Sequence, residues 1–97
     1  MVEIIWEAAE PCPPGCGRKH WNGGDYHEWV RVECYRPGQY RVVVGDTREP
    51  FPGDRGGHCT RCGYSWQKDS TQHWCGLSRQ AALGQAQSIA AAWEWVE

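Results

Sequence analysis

The stretch "HEWVRVECYRPGQYRVVVGD", His27 to Asp46, decides the fold. Two runs rich in β-branched and aromatic residues are joined by Pro37-Gly38, the pair suited to the central positions of a type II turn, where Pro presets a negative φ and Gly accepts a positive one. A β-hairpin is the expectation. Strand side chains alternate between faces, so Val30, Val32 and Cys34 share one face and Arg31, Glu33 and Tyr35 the other. Cys34 sits with the valines and reads as a small buried hydrophobe rather than a ligand.

Before the hairpin, "VEIIWEAA" (Val2 to Ala9) is β-prone and reads as a first strand, followed by a Pro- and Gly-rich loop over Pro11 to Gly24. After it, Asp46 to Gly57 has turn formers and mixed charge without periodicity, the pattern of a long loop. Phe51, the only Phe, stands there between two prolines and reads first as an anchor to the core, with a hydrophobic contact to a partner as the alternative. A short strand is expected at Tyr64 to Gln67. "LSRQAALGQAQSIAAAWEWVE" is Ala- and Gln-rich, as a helix is, with Ser78 as its N-cap. Ala82, Ala86, Ile89, Trp93 and Val96 recur at helical spacing and form one apolar stripe toward the sheet. Trp95 lies off that stripe, either over another sheet edge or as an exposed contact. The sum is an α+β fold: a small antiparallel sheet built on the hairpin, cysteine knuckles, and one C-terminal helix packed on the sheet.

Ninety-seven residues suffice for one domain, residues 1–97, and one core. Domains this small bury a modest fraction of their surface and are commonly stapled by metal, disulfides or a partner subunit. Six Cys and four His supply the means, and the seven Trp read chiefly as packing in so small a core. The formal charge is −2, which disfavours a polyanion-binding tail. No run approaches the length of a membrane span, and "MVEIIWEAAE" lacks the basic start and apolar core of a signal peptide. The expected setting is the cytoplasm, where thiols stay reduced and clustered cysteines read as metal ligands before disulfides.

Two cysteine turns stand out. "CTRCG" (Cys59 to Gly63) is a Cys-x-x-Cys followed by Gly, a tight turn that aims two thiolates at one metal. "PCPPGCGRKHW" (Pro11 to Trp21) carries Cys12 and Cys16 in a second turn, one residue longer. Four thiolates, Cys12, Cys16, Cys59 and Cys62, suit tetrahedral zinc in a closed structural site. These residues resemble the zinc-ribbon class of small bacterial and phage proteins, which implies two knuckles at hairpin tips clamping one zinc. The likeness covers Cys12 to Gly17 and Cys59 to Trp66. It departs from the ribbon pattern in the Cys-x3-Cys of the first knuckle and in the 42 residues between Cys16 and Cys59. A rival partition gives two zinc sites: Cys12, Cys16, His20 and His27 in one, and Cys59, Cys62, His73 and Cys75 in the other. A disulfide framework is a third option, and a chain without metal a fourth.

Catalytic signatures fail one by one. His27-Glu28 runs into Trp-Val-Arg, so the metalloprotease pair of histidines is missing. "PCPPGC" is one residue too long for the zinc-deaminase turn, and no His-x-Glu precedes it. His58-Cys59 are adjacent and point apart in extended chain, with no orienting carboxylate indicated. The expectation is a protein without enzymatic activity that acts as a protein-interaction or regulatory module. Its Ala, Arg, Gly and Trp bias points to a GC-rich source such as actinobacteria or their phages, where an accessory protein of this kind binds a host factor. The alternative is a nucleic-acid binder in which Arg18, Lys19, Arg61 and Lys68 contact phosphate while Trp21, Tyr64 or Trp66 stack on bases. A homo-oligomer closed through Trp95 is a third possibility.

Overall fold

The computed structural model describes residues 2–11, 26–46 and 50–93, with the side chains of Pro11, Tyr26 and His27 excepted. Strands β1 (Glu3–Pro11), β2 (Tyr26–Arg36), β3 (Gln39–Asp46) and β6 (Gln72–Leu77) form a four-stranded antiparallel sheet in the order β1-β2-β3-β6. Strands β4 (Gly57–His58) and β5 (Ser65–Trp66) form a separate two-stranded hairpin, and helix α1 (Arg79–Ala91) closes the fold. The architecture is α+β, with one C-terminal helix on the sheet.

The β2–β3 hairpin turns at Pro37-Gly38, where Gly38 has φ +73°, the left-handed value the second turn position of type II requires. Alternation places Val30, Val32, Val42 and Val44 on one face, where α1 packs against them through Ala82 and Ala86, both fully buried. Val30, Val32 and Val42 are fully buried too, each contributing about 1.5–3 kcal/mol through apolar burial. The methyl groups of Ala82 and Ala86 let the helix lie close to the sheet, while Ile89 and Trp93 continue the stripe along its margin. Ser78 caps α1 through its Oγ, which accepts from the Ala81 N–H at 3.2 Å. The helix ends at Ala91, short of the full apolar stripe, and Trp95 and Val96 lie outside the described residues. Cys34 is half-buried rather than buried, and its Sγ lies 3.1 Å from the Arg36 carbonyl, to which it donates.

The opposite face carries a second, smaller packing layer. Val43, fully buried, registers with His73 on β6 and Arg31 on β2. There the β4–β5 hairpin covers the sheet through Tyr64 and Trp66, which stack at 6.1 Å and both approach the His73 ring. The segment between β3 and β4 follows the expected irregular course from Pro50 to Gly56. Phe51 is a correction: it is 53 % exposed and does not anchor the core, its backbone N–H instead donating to Asp54 in a tight turn. No helix among the described residues is long and apolar enough to cross a membrane.

Candidate metal centre

The knuckle at Cys59 to Gly63 is built by backbone geometry. The Gly63 N–H donates to the Cys59 carbonyl at 2.8 Å, the Cys59 N–H donates to Tyr64 O at 2.8 Å, and Gly63 takes φ +77° to reverse the chain. A residue with a Cβ resists that conformation, which is why glycine follows the second cysteine. The turn presents both thiols on the side facing β6.

Strand β6 supplies the other half through a β-bulge. Tyr40 pairs with Leu77 and Val42 with Trp74, so Cys75 and Gly76 together oppose Arg41, with Gly76 at φ +72°. His73 and Cys75 alternate onto the knuckle face. Without the extra residue Leu77 would follow them there, but the bulge returns it to the helix face, where it packs against the valine core. One irregularity thus serves both the core and the site.

Cys59, Cys62, His73 and Cys75 converge so that their ligand atoms all lie within 4.8 Å of one another, and Cys59 Sγ and Cys75 Sγ are 4.0 Å apart. A tetrahedral zinc with Zn–S bonds of about 2.3 Å sets neighbouring sulfurs roughly 3.8 Å apart, so the cage needs little contraction to close on an ion. The donors, three thiols and an imidazole, could hold a metal ion. All the described cysteines are free thiols, Cys62 being the most buried of the four cluster residues at 8 % exposure.

Electrostatics prepares the set unevenly. A hydrogen bond from His73, with backbone N–H groups of Cys62 and Arg61, pulls the Cys59 thiol down to about 6, making it a thiolate at neutral pH. Burial, then its contacts with Cys59 and the charge at Cys62, pushes the Cys75 thiol upward. A metal ion bound there would reverse that second effect by displacing the proton.

The knuckle is tied to the sheet by Arg41, only 5 % exposed. Its Nε donates to Glu33 Oε1 at 2.7 Å, its Nη1 donates to the Cys62 carbonyl at 2.8 Å, and its guanidinium lies between the rings of Tyr64 at 5.0 Å and Tyr35 at 5.5 Å. Burial alone would weaken its hold on the proton, but the hydrogen bonds to Glu33 and Cys62 outweigh that and raise its pKa. These two residues were not singled out from the sequence. The available signal was a facing acid and base at the centre of two valine-rich strands.

Of the four thiolates first grouped together, the structure brings Cys59 and Cys62 together with His73 and Cys75, the second set of the two-site partition. Cys12, Cys16 and His20, like the side chain of His27, lie outside the described residues. His58 stands apart from the cluster and pairs its Nδ1 with Ser65 Oγ at 2.7 Å. Lys68 is 9 % exposed and bonded to Asp46 Oδ1 at 3.0 Å, which withdraws it from any phosphate contact, while Arg61 is exposed. An open cleft of about 570 Å³ lies beside the cluster, walled by Thr60 and Arg61 of the knuckle, Trp74 and Leu77 of the edge strand β6, and Gln85 of α1. The chain matches none of the protein families, curated proteins or solved structures with which it was compared.

Proposed function

We propose that Cys59, Cys62, His73 and Cys75 hold a structural zinc ion, and that the protein is a zinc-stapled interaction module rather than an enzyme. The observation that carries the metal reading is the convergence of four ligand atoms within 4.8 Å. Three thiolates and one imidazole select zinc over harder cations, which prefer oxygen donors. A four-ligand zinc has no open position for a reactive water, which favours a structural role.

The lowered pKa of Cys59 beside His73 invites a second reading as a nucleophile and base. Cys62 and Cys75 argue against it: a nucleophile and base need only Cys59 and His73, whereas a tetrahedral metal site uses all four donors gathered within 4.8 Å. The interaction role draws support from the cleft beside the site and from Trp74, 40 % exposed on its wall. The reading implies a reducing cytoplasm, in which the thiols remain free to bind metal.

The deciding experiment is elemental analysis of purified protein beside a Cys62→Ser/Cys75→Ser variant. Zinc that is present in the wild type, lost from this variant and retained by a Cys12→Ser/Cys16→Ser variant establishes the centre. Wild-type protein purified under reducing, zinc-replete conditions that contains no zinc removes it.

A further inference from the structure

We infer that Arg41 is the positioning residue of the metal centre, gripping the Cys62 carbonyl from the sheet and thereby coupling metal loading to the β2–β3 hairpin. The inference rests on the metal reading proposed for Cys59, Cys62, His73 and Cys75. The β4–β5 hairpin that frames the knuckle shares no backbone ladder with the four-stranded sheet. Arg41 bridges that gap with one side chain, using Nε for Glu33 and Nη1 for the Cys62 carbonyl, at 2.7 and 2.8 Å.

Stability alone does not account for this arrangement. A buried ion pair roughly breaks even against apolar residues of similar size, because desolvation offsets the attraction. What the pair adds is direction: Glu33 fixes one edge of the planar guanidinium, the rings of Tyr64 and Tyr35 flank it, and another N–H is left aimed at the knuckle. Holding the Cys62 carbonyl fixes the peptide whose side chain is the most buried of the four ligands. Groups that orient ligands in this way tune metal affinity about 10–100-fold. Coupling is reciprocal, so metal bound at the knuckle must in turn stabilise the hairpin that carries Arg41.

The test compares zinc affinity, measured by competition with a chromogenic chelator, and the absorption spectrum of the cobalt-substituted protein. The variants are Arg41→Lys, which keeps the charge but replaces two separate donors of a planar fork with a single ammonium, and Glu33→Leu/Arg41→Met, which replaces the pair by apolar groups that preserve packing. Arg79→Met is the control, since Arg79 is exposed at the start of α1, on the helix side of the sheet. Weakening of zinc binding by about 10–100-fold in Arg41→Lys and in the double variant, with altered cobalt bands and an unchanged control, supports the inference. Folded variants with wild-type zinc affinity and an unaltered cobalt spectrum overturn it while leaving the metal reading intact. A wild-type protein that takes up neither metal overturns both.

Discussion

The indole Nε1 of Trp93 donates to Glu28 Oε2 at 2.8 Å, joining the end of the helix segment to the start of β2 across 65 positions of chain. The bond fixes the helix axis over the sheet at the point where the alanine stripe gives way to larger side chains. Trp93→Phe keeps most of the ring and removes the donor. It should cost about 1–2 kcal/mol in denaturant unfolding, the range for a partly exposed hydrogen bond to a charged group. Glu28→Gln retains an acceptor and should cost less. If Trp93→Phe costs as much in a Glu28→Ala background as in the wild type, packing and not the hydrogen bond sets the contribution.

The position of the metal set can be tested by stoichiometry. A Cys12→Ser/Cys16→Ser variant should keep zinc at Cys59, Cys62, His73 and Cys75, whereas Cys62→Ser/Cys75→Ser should lose it. If the clamp instead ran from Cys12 and Cys16 to the knuckle, the first variant would empty the site. If two sites exist, zinc should fall from two atoms per chain to one in either variant. Elemental analysis of the three proteins separates these outcomes.

Much of this fold was legible from local chemistry. Pro37-Gly38 marked the turn, Ser78 the helix start, and the spacing of Ala82 and Ala86 the buried helix face, because each of these signals acts within a few residues. Strand β6 was not read: "QHWCGL" has no β-branched residue and contains Gly76, and it becomes a strand through pairing with β3. The choice among ligand partitions was hidden for the same reason. Spacing shows that Cys59, Cys62, His73 and Cys75 can meet, but only the β3–β6 pairing and its bulge show that they do. Arg41 was harder still, since a charge in a strand reads as solvent-facing until a second layer covers that face.

Metal loading should depend on pH with a definite sign. Protons compete with zinc for the thiolates, so affinity rises with pH. Cys59, held near 6 by His73 and the knuckle N–H groups, gives up its proton first, whereas Cys75, whose pKa is raised by burial, releases one on binding. In metal-free protein the depressed Cys59 pKa adds stability that is present above its ordinary value of 9.0 and fades as pH falls through about 6. Zinc should therefore be retained at pH 8 and released as the solution is acidified through and below pH 6, as followed with a chromogenic chelator. Unchanged affinity across that range would contradict thiolate ligation.

Two glycines offer a paired test of how the aromatic layer supports the site. Gly45 faces Trp29 across the β2–β3 ladder, and Gly57 faces Trp66 across β4–β5; at both positions a methyl group would overlap the indole ring. Each Ala substitution should displace its tryptophan at a cost of about 1–3 kcal/mol, as overpacking does. The consequences for metal should differ. Trp66 packs on His73 with ring centroids 5.1 Å apart, so moving it disturbs the His73 imidazole, whereas the Trp29 ring packs under the Arg31 guanidinium. Gly57→Ala should lower both stability and zinc affinity, while Gly45→Ala should lower stability alone. Thermal unfolding and chelator competition on the two variants distinguish them, and equal zinc affinity in both would show that Trp66 does not help to set the imidazole.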